Sequence, residues 1–123
     1  MIYAFDIDGI VTIEAEPGTV DGYTERTPNE DTVALMRDLM GDGHTVILWT
    51  GRRESRRRIT EDWLDLHSVP YDFLFMGKPS FDVFVDDKMR TPEQIRKERD
   101  DEVQGLRPPN KDGRSFGRPE GTA

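Results

Sequence analysis

Two short apolar runs, IYAFD at residues 2–6 and TVILWT at residues 45–50, constrain the fold of this chain most strongly. Neither run alternates polar with apolar side chains, and both are rich in β-branched and aromatic residues, which is typical of strands buried on both faces. YDFLFM at 71–76 and FDVFVDD at 81–87 have the same character. The sequence therefore predicts several parallel strands in the interior of one domain.

The segments between these runs have helical patterns. Between the first two runs, a helix is predicted to follow an N-cap at Thr27, with Pro28 in its first turn, and to end at Gly41 or Gly43. A second helix is predicted over residues 53–67. The inward faces of the two helices are expected to consist of apolar residues three or four apart, namely Val33, Met36 and Met40, and Ile59, Trp63 and Leu66.

Strands that alternate with helices of this length are joined by right-handed crossovers, and such connections produce parallel sheets. The predicted fold class is therefore α/β, a doubly wound, Rossmann-like parallel sheet with helices on both faces in three α/β/α layers. The chain has 123 residues, enough for about one small domain. We assign that domain to residues 1–106, including a charged helix capped at Thr91 and Pro92. Residues 107–123 are rich in Pro, Gly and charge, which predicts a flexible tail.

Composition excludes several classes of site. The chain has no cysteine, so disulfides, zinc-thiolate sites and thiol nucleophiles are excluded and any metal should be bound by oxygen. The net charge of −8 argues against a general nucleic-acid binder. The sequence also lacks the long apolar segment of a membrane span and the pattern of a signal peptide, which predicts a soluble, cytoplasmic protein.

Polar residues cluster where the predicted strands end. In doubly wound sheets, ligands bind beyond the carboxyl ends of the strands, so these positions are candidates for chemistry. Each motif is common by itself, since a DxD at a turn usually caps or solvates the backbone and a TGR often forms an ordinary turn. Their combination, in order and each at a strand end, predicts a site formed by Asp6 and Asp8, Thr50-Gly51-Arg52, Gly77-Lys78, and Asp86-Asp87.

These motifs resemble those of the haloacid dehalogenase (HAD) superfamily, in its magnesium-dependent phosphatase branch. DIDGIV at 6–11 resembles the first motif, DxDGx(T/V), and Thr50 resembles the second. Lys78 resembles the third and Asp86-Asp87 the acidic pair of the fourth, so the likeness covers about residues 1 to 90. More narrowly, GKPSFDVFVDDK resembles small phosphatase-like proteins found with capsule and polysaccharide biosynthesis.

The resemblance implies a phosphatase that forms an aspartyl phosphate. Asp6 would be the nucleophile and Asp8 the general acid and base, while Thr50, Gly51 and Lys78 would bind the phosphoryl oxygens. Asp8 in place of threonine also favours rapid hydrolysis over a long-lived phosphoenzyme. By the same resemblance, a magnesium ion (Mg²⁺) would be bound by the Asp6 carboxylate, the Asp8 main-chain carbonyl and the acidic pair. Asp87 would be the direct ligand with Asp86 beside it, or the reverse.

The substrate is less constrained. Residues 9–27 have room only for a flap and residues 51–78 only for one helix and one strand, which predicts a capless protein with an open site. Arg52 and Arg53 could bind a second anionic group of the substrate. The rest of the arginine run fits equally well a solvated helix face that pairs with acidic neighbours, and comprises Arg56, Arg57 and Arg58, opposite Glu54, Glu61 and Asp62.

Three functions remain open at this point. The favoured one is a phosphomonoesterase for a sugar phosphate or nucleotide, with a homo-oligomer able to cover the open site. The alternatives are a polynucleotide-end phosphatase and a non-enzymatic, receiver-like signalling domain. His44, in a turn, and His67, at a helix end, are not expected to be catalytic. Trp49 and Trp63 are expected to pack in the core.

Overall fold

The computed structural model describes residues 1–13 and 26–105, and the predicted tail, 107–123, lies outside them. The chain divides into two compact units, one of Ile2–Phe84 and one of Met1 with the residues from Val85 onward. The assignment of one domain to 1–106 stays a prediction, and the boundary between these units falls within the apolar run 81–87. In chain order the elements are β1 (Ile2–Phe5), β2 (Thr12–Ile13), β3 (Thr27–Pro28), α1 (Glu30–Gly41), β4 (Thr45–Trp49), α2 (Arg57–Leu66), β5 (Phe73–Phe75) and α3 (Pro92–Val103).

A parallel sheet with the order β1-β4-β5 forms the centre of the first unit. Phe5 pairs with Leu48, and Leu48 pairs with Leu74, so these three side chains share one face of the sheet and all are buried. The predicted strands at 2–6, 45–50 and 71–76 are confirmed, as is the α/β class. All three strands point the same way, so their carboxyl ends meet at one edge.

The prediction of a fourth strand at residues 81–87 is wrong. Residues 81–87 form no strand, and their apolar side chains are largely exposed, with Val85 91% accessible. Strand propensity measures how well side chains fit a pleated, half-buried surface. This run obtains no such burial, so its composition alone does not make it a strand.

The two faces of the sheet differ in burial. The second face carries Ile2, Trp49, Phe73 and Phe75, which are exposed. The apolar runs predict burial on both faces, so the exposure of the second face contradicts this expectation. Trp49 is 37% accessible, and the prediction that it packs in the core is wrong. The structure therefore shows a parallel sheet flanked by helices, and the three-layer, doubly wound arrangement stays a prediction.

Helix α1 begins later than predicted. Its N-cap is Asn29, whose side chain accepts a hydrogen bond from the Thr32 N–H. Thr27 and Pro28 instead form β3, which pairs antiparallel with β2. The strand pairing occupies the residues that would have started the helix. The predicted inward face is confirmed for Val33 and Met36, which are buried, and the helix ends at Gly41 as expected.

Helix α2 follows a short 3₁₀ turn, Glu54–Arg56, and buries a face that overlaps only in part with the predicted one. Trp63 is buried as expected and donates a hydrogen bond from Nε1 to the Arg26 carbonyl, at 3.0 Å. Leu66 is 74% accessible, and Thr60 and Leu64 are buried in its place. These buried residues lie three and four positions apart along the helix, so the amphipathic spacing was read correctly while its orientation was not.

The second unit contains α3. Thr91 and Gln94 form the reciprocal hydrogen bonds of a capping box, with Pro92 in the first turn, which confirms the predicted start of this helix. Ile95 is its buried residue. Over residues 1–13 and 26–105, no helix is both long enough and apolar enough to cross a membrane.

Candidate active site

The loop after β1 carries Asp6 and Asp8 and is held by buried neighbours. Gly9 has φ +87°, a conformation that side-chain-bearing residues rarely adopt, so glycine is needed at the turn. The Gly9 N–H donates to Thr12 Oγ1 at 3.3 Å, and the Thr12 hydroxyl donates to the Ile7 carbonyl at 3.4 Å. Thr12, fully buried, was not singled out from the sequence, although it directly follows the DIDGIV motif.

Asp6 faces Lys78. The Lys78 ammonium is 3.8 Å from Asp6 Oδ2, while Asp6 Oδ1 accepts a hydrogen bond from the Ile7 N–H at 2.9 Å. The Asp6 side chain is 38% accessible, so one side of the carboxylate is open to solvent. Burial of the other side raises the pKa of Asp6 above its ordinary value, and the charge of Lys78 opposes this rise.

Asp8 lies in a different cationic environment. Arg52 donates to both of its carboxylate oxygens, from Nε to Oδ2 at 3.0 Å and from Nη2 to Oδ1 at 2.7 Å. Arg26 Nη1 lies 3.5 Å from the same Oδ1. The third nitrogen of the Arg52 guanidinium, Nη1, donates to Thr60 Oγ1 at 3.0 Å. The guanidinium predicted to bind substrate is therefore directed at protein groups.

Backbone hydrogen bonds join the strand ends of β4 and β5. The Thr50 N–H donates to the Phe75 carbonyl at 3.0 Å, and the Lys78 N–H donates to the Thr50 carbonyl at 2.9 Å. The buried Thr50 hydroxyl oxygen accepts from the Arg52 N–H at 3.1 Å. Of the predicted site residues, the structure thus brings together Asp6, Asp8, Thr50, Gly51, Arg52 and Lys78 at one edge of the sheet.

The other arginines of the run divide into two groups. Arg57 pairs with Glu54 and Glu61, and Arg58 pairs with Asp62, which confirms the solvated helix face for both. The Arg57 guanidinium lowers the pKa of the Glu54 carboxyl. Arg53 and Arg56 are exposed at the start of the helical segment that follows Thr50-Gly51-Arg52.

An aromatic edge, formed by Trp49, Phe81 and Phe84, lies beside Lys78. The Lys78 ammonium is 5.2 Å from the centre of the Trp49 ring and 5.7 Å from that of Phe81, within cation–π range. Phe81 and Phe84 stack with ring centres 5.0 Å apart. All three rings are exposed. No local pattern in the sequence predicted this arrangement, because aromatic residues in such runs are equally typical of buried strands.

The acidic pair belongs to the second unit. Asp86 and Asp87 are exposed, and Asp86 Oδ1 accepts a hydrogen bond from the Lys88 N–H at 3.0 Å. Within the described ranges, no three His, Asp or Glu side chains gather as a metal-binding cluster. The magnesium site stays a prediction, and it relies in part on a main-chain carbonyl.

The two histidines have aromatic partners. His44 packs edge-on against Tyr3 with ring centres 5.3 Å apart, and His67 lies 4.4 Å from Trp63 at the end of α2. Both contacts fit structural roles. The prediction that neither histidine is catalytic stays a prediction.

The fold of this chain is similar to that of solved structures. A crystal structure of a target protein from Vibrio cholerae matches with a TM-score of 0.65 and 24% identity, over 85% of this chain and 94% of that one. Chains in two structures of the Pnkp1/Rnl/Hen1 complex, one described as an RNA repair complex, match with TM-scores of 0.53 and 0.52 and identities of 21% and 23%. These matches cover 85% and 79% of this chain and 35% and 29% of those chains.

At these identities, the likeness shows the fold alone. No protein-family profile matches the chain, and no curated protein matches it. Membership of the HAD superfamily therefore rests on the motifs and stays a prediction. What the comparisons add is a shared α/β, Rossmann-like architecture, in which the strand-end edge described above is the expected place for a ligand.

Proposed function

We propose that this protein is a magnesium-dependent phosphatase that hydrolyses a phosphomonoester through an aspartyl phosphate on Asp6. The observation that carries the proposal is the grouping of Asp6, Asp8, Thr50 and Lys78 at the carboxyl ends of adjacent parallel strands. A half-open carboxylate beside an ammonium group suits attack on a phosphoryl group. The motif resemblance assigns the Thr50 hydroxyl and the Gly51 main-chain N–H to its equatorial oxygens.

The reaction has two displacements. In the first, which starts with Asp8 as the carboxylic acid, an Asp6 oxygen bonds to phosphorus and the bond to the ester oxygen breaks. The ester oxygen keeps the electron pair of the broken bond and takes a proton from Asp8. In the second, water attacks the phosphorus of the acyl phosphate and gives a proton to Asp8. The bond to Asp6 then breaks, which releases inorganic phosphate and restores both aspartates. Lys78 offsets negative charge beside Asp6 in both steps.

The residues fit a hard divalent cation. The Asp6 carboxylate is partly accessible, and the Asp8 side chain is occupied by Arg52, so the Asp8 main-chain carbonyl is the oxygen it could offer. The motif resemblance would add the pair Asp86 and Asp87 to this ligand set. Bound Mg²⁺ would supply positive charge to the phosphoryl oxygens and lower the repulsion between phosphate and Asp6.

The primary test is phosphate release from a panel of sugar phosphates, nucleotides and p-nitrophenyl phosphate. We expect turnover with Mg²⁺, loss of turnover with EDTA, and recovery when Mg²⁺ is restored. Ca²⁺ should support little turnover, because its longer and looser oxygen shell would misplace the phosphoryl group. Turnover that persists unchanged in metal-free buffer would contradict the proposal.

A polynucleotide-end phosphatase is the second candidate. It is supported by the aromatic edge beside Lys78 and by exposed Arg53, since stacked rings next to cations suit the bases and phosphates of a single strand. The fold likeness to chains of an RNA repair complex agrees with it. The open, capless site that we propose would admit a strand end.

Oligonucleotides with a 3′- or 5′-phosphate separate the two candidates. If the second is correct, these substrates should be preferred over nucleotides, and kcat/KM should fall steeply with salt because phosphate contacts release counterions. Trp49→Ala should then raise KM for oligonucleotides and leave p-nitrophenyl phosphate unaffected. Equal salt dependence for both substrate classes would favour the small-molecule phosphatase.

A further inference from the structure

We propose that Arg52 is a positioning residue that holds the Asp8 carboxylate for proton transfer, and not a substrate ligand. This inference rests on the proposed function, because it gives Arg52 a part in that reaction. It also changes the role suggested from the sequence, in which Arg52 could bind a second anionic group of the substrate.

The geometry of the Arg52 contact supports a positioning role. The planar guanidinium donates two hydrogen bonds, one to each oxygen of Asp8. Such a paired contact fixes the carboxylate against both rotation and displacement, which a single ammonium cannot do. Asp8 is 31% accessible, whereas the Arg52 side chain is 1% accessible. The arginine thus lies on the protein side of the carboxylate, which stays partly open to solvent, with Arg26 Nη1 3.5 Å from Oδ1.

Arg52 is itself anchored. Its Nη1 donates to the buried Thr60 hydroxyl on α2, and its main-chain N–H donates to the Thr50 hydroxyl oxygen. The Gly77 N–H donates to the Arg52 carbonyl at 2.8 Å. Contacts therefore connect Asp8 to α2 and to the loops after β4 and β5. A guanidinium anchored this firmly would have to break buried hydrogen bonds to reach a ligand.

The arrangement has a defined chemical consequence. Each carboxyl oxygen has two lone pairs, so Oδ2 of Asp8, which does not face Arg26, can carry a proton while still accepting from Arg52 Nε. When the ester bond breaks, that O–H bond breaks, a new O–H bond forms on the leaving oxygen, and Asp8 becomes a carboxylate. The rate enhancement that this proton transfer provides depends on the basicity of the leaving group. Loss of Arg52 should therefore act selectively.

The test compares Arg52→Gln and Arg52→Lys on two substrates with Mg²⁺ present. For β-glycerophosphate, whose alkoxide leaving group needs a proton, we expect kcat to fall about 10- to 100-fold. This loss is only part of the rate enhancement that general acid catalysis usually provides, because Asp8 itself is still present. For p-nitrophenyl phosphate, whose leaving group is acidic, kcat should change little, and KM should stay near wild type for both. Lysine should not rescue, because it cannot form the paired contact.

Two variants control for folding. Thr60→Val keeps the buried shape, removes only the Nη1 contact and should give a smaller loss with the same selectivity. Arg58→Gln, on the exposed face of α2, should behave as wild type. In an Asp8→Asn background, Arg52→Gln should add little further loss on β-glycerophosphate, because the two residues act as one unit.

Each alternative outcome is informative. A raised KM on both esters, or an equal kcat loss on both, would overturn the positioning role and leave the phosphatase assignment intact. Absence of turnover of any phosphate ester by the wild-type protein would overturn the proposed function and the inference together. Independently of activity, the Arg52 Nε–H should exchange slowly with solvent in NMR spectra and lose protection in Asp8→Asn. Rapid exchange in the wild-type protein would contradict the contact itself.

Discussion

Asp6 and Asp8 are one residue apart in the same loop, yet their side chains meet different surroundings. Asp6 faces one ammonium group at 3.8 Å and is partly open to solvent. Asp8 is held through both oxygens by a buried guanidinium, with Arg26 nearby. Under the proposed function, this difference gives the two carboxylates of one short motif separate roles: Asp6 attacks phosphorus, and Asp8 is held in position for proton transfer.

Charge explains why the two can lie so close together. Two adjacent carboxylates repel, and the repulsion is tolerable when each has its own cation. Lys78 lies next to Asp6 and offsets its charge, whereas Arg52 and Arg26 offset the charge of Asp8. The cations come from segments after different strands, so the separation depends on the folded edge of the sheet and not on the loop alone.

The largest effect should come from removing the nucleophile. We expect Asp6→Asn to lower kcat by roughly 10⁴-fold or more on every phosphomonoester, since loss of a nucleophile in covalent catalysis is rarely compensated. Leaving-group acidity should not matter, because no aspartyl phosphate can form. Acid-quench trapping of a phosphorylated protein should succeed with wild type and fail with this variant. Retained turnover in Asp6→Asn would refute the mechanism.

Asp8→Asn should have a smaller and more selective effect. Asparagine keeps the shape and the main-chain carbonyl, so we expect Mg²⁺ to bind as in wild type while kcat on alkyl phosphates falls by about 10² to 10⁴. The loss on p-nitrophenyl phosphate should be much smaller, because its leaving group departs without a proton. Steady-state kinetics on both substrates provide the measurement. Equal losses on both would deny Asp8 the acid role and remove the distinction between the two carboxylates.

The smallest effect should come from the loop that both aspartates share. Thr12→Val removes the hydroxyl that bonds Gly9 and Ile7, so we expect the free energy of unfolding to fall by about 1 kcal/mol in urea titrations. Any loss of activity should be similar for alkyl and aryl phosphates, because the whole loop shifts. Thr12→Ser keeps the hydroxyl and should stay close to wild type. A selective loss on alkyl phosphates would show that Thr12 supports Asp8 in particular.

Several elements could be predicted because their signals are local. The apolar runs at 2–6, 45–50 and 71–76 became strands, and Thr91-Pro92 began a helix, since propensity and capping act over a few residues. Local signals failed where a partner decided the outcome. Thr27 and Pro28 have the chemistry of a helix start, but pairing with β2 made them a strand.

Local signals also failed to predict which side chains are buried. The apolar spacing of α2 predicts one buried face, but Thr60, which accepts a hydrogen bond from Arg52, is buried with Leu64, and Leu66 is exposed. The run at 81–87 has strand composition and no strand, because burial and pairing are not encoded in composition. The exposed ring of Trp49 follows from its position on the open face of the sheet.

By itself, the sequence determined the α/β class and the edge where chemistry should be sought, because the order of motifs and the direction of parallel strands follow from the chain. Only the tertiary structure decided which cation each aspartate meets. Lys78 is 72 positions from Asp6, and Arg52 is 44 positions from Asp8. Contacts over such distances depend on how strands and helices pack, so no local pattern could assign Arg52 to Asp8 and Lys78 to Asp6.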